Sequence, residues 1–226
     1  MTRWAPMLLV AFLLAGTAVA FAVTQGLKQE RSPIYGVRFS RVFGPHRPAA
    51  LRFRLRKRDT ISLTIVDADG KGVRTFRAQK HPHGLVTVYW GGRSTTALAP
   101  DGPYRLHVHL KRSDATIEIP TVFRLDTTPP SLAHVSVSPR ALTRGGRVVL
   151  RYATNEPGQI ILRVDGRRAV VTRPRVHARP FTWDGTVGGR PVATGPHVLL
   201  LRAVDLVGNR SHPSRPLRVR VHEAAP

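Results

Sequence analysis

The sequence predicts an all-β chain in which two tandem β-sandwiches follow one N-terminal transmembrane helix. Three observations predict it. Residues 4–23 are apolar and carry no charge. From residue 47 onward, apolar and polar residues alternate in short runs bounded by Gly, Pro and Asp, the mark of half-buried strands joined by turns. The runs after residue 131 also repeat those before residue 126, so one unit is present twice.

The apolar run, WAPMLLVAFLLAGTAVAFAV, follows Arg3 and precedes Lys28 and Arg31. As a helix, about 20 residues span roughly 30 Å, the thickness of a bilayer core. Residues 1–23 are therefore expected to be a retained signal anchor. Ala18-Val19-Ala20 and Ala20-Phe21-Ala22 keep open a cleaved signal peptide. Either way the remainder is exported, and the retained form makes a single-pass protein of the cell membrane with its bulk extracytoplasmic. Residues 24–46 are polar and irregular and are read as a stalk.

The first sandwich is assigned to residues 47–126. Leu51, Phe53 and Leu55 alternate with Arg52, Arg54 and Arg56, and Ile61, Leu63 and Ile65 repeat the pattern. Asp67-Ala68-Asp69-Gly70 supplies a turn tolerant of positive φ. Val86, Val88 and Trp90 form another strand, and Tyr104, Leu106, Val108 and Leu110 the next. Residues 127–131 contain Pro129-Pro130, which cannot join a sheet ladder, and are read as a stiff linker. The second sandwich is assigned to residues 132–222, with 223–226 as a tail. Leu150, Tyr152, Ile160 and Leu162 match the first unit at an offset of 99. Trp183, Gly185 and Gly195 match Trp90, Gly92 and Gly102 at 93, so the connection before the tryptophan is shorter in the second copy.

These residues carry a resemblance. A strand pair around an Asp-Gly turn, then Trp-Asp-Gly, then Gly-x-Tyr opening a strand after a short connection, resembles the FlgD-type immunoglobulin-like domain of bacterial exported proteins. The motif positions are Trp90, Gly92, Gly102 and Tyr104 in the first copy and Trp183, Gly185 and Gly195 in the second. Gly91 stands where the family usually has Asp, and His197 where it usually has Tyr. Ala203 to Asn209 resembles the closing strand and turn of bacterial surface immunoglobulin-like domains. The resemblance implies a sandwich and a scaffold or appendage, and no particular activity. Burial of the two tryptophans beside a tight Gly turn is the structural reading; stacking on a sugar is the functional alternative.

Composition bounds the chemistry. The chain of 226 residues has no Cys, which excludes disulfides and thiol catalysis. Net charge is +23 from 36 basic and 13 acidic residues, a field that attracts nucleic acid, anionic lipid or anionic wall polymer. The dominance of Arg, with frequent Ala, Val, Pro and Gly, is also what a GC-rich coding sequence produces. No paired carboxylates, nucleophile elbow, H-E-x-x-H or P-loop is present, so the chain is not expected to be an enzyme, and no cofactor is implied. Asp67 to Gly70 fails as a calcium loop because Ala78 stands at the twelfth position. His81, His83, His107 and His109 could hold zinc if the loop folded back, but Arg105 and Lys111 flank the strand pair and favour a solvated face.

The expected polyanion contacts are Arg52, Arg54 and Arg56 on one strand face, with Arg167, Arg168, Arg173 and Arg175 in the second unit. Phe53 alternates with the arginines on the opposite face of the strand, and aromatic interleaving on the arginine face itself is absent, which argues against single-stranded nucleic acid. The expected partners are the membrane and an anionic cell-wall polymer or an envelope protein. A nucleic acid, or an envelope enzyme or transporter served as an accessory subunit, is the alternative.

Overall fold

The computed structural model describes residues 31–174 and 179–224. The apolar segment and Arg175 lie outside them. Among the described residues there is no helix, and none long and apolar enough to cross a membrane.

The first half contains β1 (Ile34–Phe39), β2 (Val42–Phe43), β3 (Ala49–Leu55), β4 (Asp59–Val66), β5 (Gly72–His81), β6 (Gly84–Trp90), β7 (Gly102–Leu110) and β8 (Ala115–Leu125). They form two sheets, β1-β3-β6 and β2-β8-β7-β4-β5. The second half contains β9 (Leu132–Ser138), β10 (Ala141–Thr143), β11 (Val148–Thr154), β12 (Gly158–Val164) and β13 (Arg167–Val171). It continues with β14 (Phe181–Trp183), a small hairpin of β15 (Thr186–Val187) and β16 (Arg190–Pro191), β17 (Gly195–Asp205) and β18 (Leu217–His222). Its sheets are β9-β11-β14 and β10-β18-β17-β12-β13. The two halves thus share one strand order, with β15-β16 inserted in the second. A three-stranded sheet facing a five-stranded one, antiparallel except for the parallel edge pairs β2-β8 and β10-β18, is the layout of an immunoglobulin-like or fibronectin III-like sandwich.

Alternation makes each sheet one-sided. Leu51, Phe53 and Leu55 of β3 are buried while Arg52 and Arg54 are exposed. Each half has its own core, one built on Phe53, Leu106 and Phe123, the other on Leu150, Leu162 and Leu199. In the first, Trp90 lies edge-on to Tyr104 at 5.0 Å and to Phe123 at 6.0 Å between ring centroids.

The stalk assignment is corrected: residues 34–43 carry β1 and β2 and belong to the first sandwich, with Ile34 and Phe43 buried in its core. The left-handed Gly36 (φ 62°) interrupts the alternation of β1 and hides it in the sequence. The stretch before His83 is likewise strand β5 rather than a loop. As a sheet edge it buries little, so its pattern is weak.

Candidate polyanion-binding surface

The outer face of β1-β3-β6 gathers the first arginine cluster. Arg52 lies directly opposite Arg38 of β1 and Thr87 of β6, and Arg54 opposite Tyr35 and Leu85. Arg56, just beyond β3, donates Nε to the Ser32 carbonyl at 2.8 Å, and its guanidinium sits 4.6 Å from the Tyr35 ring centroid. Tyr89 projects from β6 opposite Ala50 and is 61% exposed. The strands therefore present Arg38, Arg52 and Arg54 with Tyr35 and Tyr89, and no carboxylate stands among the outward residues of these strands. Same-strand neighbours on one face repeat at about 6.5–7 Å, a spacing that suits successive charges of an extended polymer.

The absence of interleaved aromatics is thus corrected. Tyr35 and Tyr89 come from neighbouring strands and reach the arginine face through sheet pairing. Arg38 and Tyr35 were missed because they fell in the supposed stalk. Tyr89 was legible, since inward Val86, Val88 and Trp90 force Leu85, Thr87 and Tyr89 outward.

The second cluster is elsewhere. Arg167 and Arg168 begin β13, the edge of the second five-stranded sheet, and Arg173 lies just past that strand. Arg168 faces Arg163 across the hairpin, and Arg163 Nη1 donates to the Gly166 carbonyl at 2.8 Å. Charges on an exposed edge also deter strand addition. The face equivalent to Arg52/Arg54/Arg56 in the second half carries Arg151, Ala153 and Asn155, so the arginine face is not duplicated.

The motif residues shape the sandwich ends. Trp90 Nε1 donates to the Arg93 carbonyl at 2.7 Å, and Trp183 Nε1 to the Thr186 carbonyl at 2.8 Å. Both rings are buried, so neither offers a sugar platform. Gly92 follows Trp90 with φ 85°, and a Cβ there would lie 2.6 Å from Leu125 Cδ1. Gly185 repeats that conformation at φ 78°. Gly102 and Gly195 open β7 and β17. Tyr104 Oη donates to the Pro100 carbonyl, while His197 bonds the Ala193 carbonyl through Nε2 at 2.7 Å and Asp165 Oδ2 through Nδ1 at 2.6 Å. Burial alone would lower the His197 pKa; the Asp165 and Ala193 hydrogen bonds outweigh it and raise the imidazole above its ordinary value.

The histidines do not form a metal centre among the described residues: Nε2 of His107 stands 3.8 Å from Glu118, and Nε2 of His109 3.7 Å from Asp114. The one acidic convergence among the described residues is Asp126, Glu156 and Asp205 at the linker. There Asp205 Oδ1 accepts N–H bonds from Val207, Gly208 and Asn209, and Oδ2 accepts one from Asn209 Nδ2. Both of its oxygens are therefore engaged in holding the turn.

No protein-family model and no curated protein matches the chain. Similar solved structures include fibronectin III-like modules of Clostridium thermocellum CbhA, at 13% identity and TM-score 0.45, covering 84% of this chain and 95% of that one. The human OSCAR ligand-binding domain is similar at 18% identity and TM-score 0.35, covering 82% of this chain and 96% of that one. The D0-D1 domain of intimin is similar at 9% identity and TM-score 0.31, covering 84% and 98%.

Proposed function

We propose that this chain is a membrane-anchored, extracytoplasmic scaffold of two FlgD-type immunoglobulin-like modules. In this reading it binds anionic cell-envelope polymer through the β1-β3-β6 face and catalyses no reaction. The observation that carries the reading is the set Arg38, Arg52, Arg54 and Arg56 beside Tyr35 and Tyr89, on a face without an acidic partner. Arginine forks pair with phosphates or uronates, and tyrosines add apolar contact to sugar rings. Arg38 and Arg52 directly opposite each other cost stability in the free protein. An anion bridging them removes that repulsion.

The two tyrosines also favour a second reading, single-stranded nucleic acid, whose bases stack on aromatic rings between backbone-tracking cations. Sedimentation of the full chain in detergent with purified wall sacculi, wall polymers and single-stranded DNA, across a salt series, separates the two. Selective retention on wall material, released by moderate salt, is expected. Preference for DNA, with log affinity falling linearly in log salt, would replace the first reading by the second. Retention on none of these would remove both.

A further inference from the structure

A second basic feature lies at the pole of the first sandwich farthest from the linker. Strand β7 runs from Gly102, which pairs with Leu125 beside the linker, to Leu110 at this far pole. Three turns meet there and enclose an open cleft of about 640 Å³. Arg58 comes from the β3-β4 turn, Lys80 and His81 from the end of β5, and Lys111 and Arg112 from the β7-β8 turn. The turns are stitched together rather than loosely apposed. Asp59 Oδ1 accepts from the Thr60 N–H at 2.7 Å and the Arg112 N–H at 3.0 Å, and the Lys111 N–H donates to the Thr60 carbonyl at 3.0 Å.

The charges are unbalanced. Asp59 is the single carboxylate lining the cleft, and Oδ1 of that group is occupied by backbone donors. Among the described residues, none of Arg58, Lys80, Lys111 or Arg112 has a carboxylate within ion-pair distance. Two arginines and two lysines in one polar recess make a ready site for a phosphate group.

The same pole is where the chain enters the sandwich. Ile34 pairs with Leu55, and the Arg56 N–H donates to the Pro33 carbonyl at 2.9 Å. Only seven residues lie between Val23, the end of the apolar run, and Arg31. Fully extended, the span from Val23 to Arg31 reaches at most about 29 Å. A chain anchored through residues 4–23 therefore holds this pole, and not the linker pole, towards the bilayer.

From these observations we infer that the cleft of Arg58, Lys80, Lys111 and Arg112 binds the phosphate of an anionic phospholipid headgroup and docks the first sandwich on the membrane that anchors it. The inference rests on the anchored reading of residues 4–23. It deepens the proposed function by orienting the molecule: the cleft faces lipid, and the arginine-tyrosine face is left for polymer.

The test uses the full chain reconstituted into vesicles of phosphatidylcholine alone, or with added phosphatidylglycerol. Flotation with the neutral vesicles after a high-salt wash reports the anchor separately from the cleft. Amide hydrogen exchange then reads the turns at residues 56–60, 80–84 and 111–114. Slower exchange in all three with phosphatidylglycerol is expected. It should be lost in the double variant Arg58→Ala/Arg112→Ala, with about a five-fold loss of headgroup affinity for each arginine removed. Both side chains are exposed and hold no hydrogen bond among the described residues, so the variant should fold, and an unchanged melting temperature checks that. Equal protection by inorganic phosphate over neutral vesicles, with no further effect of phosphatidylglycerol, would overturn the lipid source. No protection from either would overturn the site. Failure to float would overturn the anchored reading on its own.

Discussion

His197 occupies the place in the second sandwich that Tyr104 holds in the first. Each side chain reaches back four residues to a carbonyl, Pro100 for Tyr104 and Ala193 for His197. The exchange makes the second sandwich pH-dependent. Its imidazole is raised above the ordinary 6.5, so its contribution is complete below that value and is lost as pH rises through the raised one. For Asp165, burial would raise the pKa, but bonds from the Val198 N–H and His197 outweigh it and lower the carboxyl below 3.8. That contribution is complete above the ordinary carboxylate value and is lost as pH falls through the lowered one. The second sandwich should therefore be most stable between these limits and soften on the alkaline side. His197→Tyr is expected to flatten the alkaline limb of melting temperature against pH, up to about pH 9, below the tyrosine titration. An unchanged limb would place the titrating group elsewhere. At the same scale, Trp183→Phe strips the Thr186 carbonyl of its indole donor and should cost about 1–3 kcal/mol in denaturant unfolding.

Strand pairing, more than any single strand, creates the arginine-tyrosine face. Directly opposed Arg38 and Arg52 should repel by about 0.2–1 kcal/mol. Arg52→Thr is therefore predicted to stabilise the free first sandwich by that amount in urea unfolding, while weakening retention on polymer. A loss of stability would show that the arginine packs rather than waits for a ligand. The strands that bury one face were legible: the alternation of β3 and β4 located them, and Asp67 to Gly70 and Asp165-Gly166 marked their hairpin turns, where Gly70 and Gly166 take φ of 80° and 78°. The missed elements share a physical cause. β2 has only two residues, β1 is broken by Gly36, and β5 is a sheet edge with mostly exposed side chains. Arg52, Arg54 and Arg56 could be read from one strand. Arg38 and Tyr35 stand opposite Arg52 and Arg54, and Tyr89 opposite Ala50, only through register, which periodicity within a strand does not encode.

The whole molecule is held together at the linker, which is clamped from both sides. Asp101 accepts hydrogen bonds from both the N–H and the hydroxyl of Thr127, each at 2.7 Å, and from the Thr128 hydroxyl. Asn209 Nδ2, from the second sandwich, donates to the Asp126 carbonyl at 3.0 Å, and Arg47 Nη1, from the first, reaches the Leu206 carbonyl at 3.1 Å. Asn209→Ala should therefore uncouple the halves, splitting one calorimetric transition into two; a single unsplit transition would mean that the halves are coupled by other contacts. The central claim is that the first-domain face, rather than total charge, recognises envelope polymer. Two variants that each remove two positive charges decide it: Arg52→Ala/Arg54→Ala on the face and Arg167→Ala/Arg168→Ala on the β13 edge. Retention of each full chain on purified wall sacculi, measured at one fixed moderate salt concentration, should fall steeply for the first and stay near the parent for the second. Equal losses from both would contradict a specific face and leave only a diffuse attraction of a +23 chain.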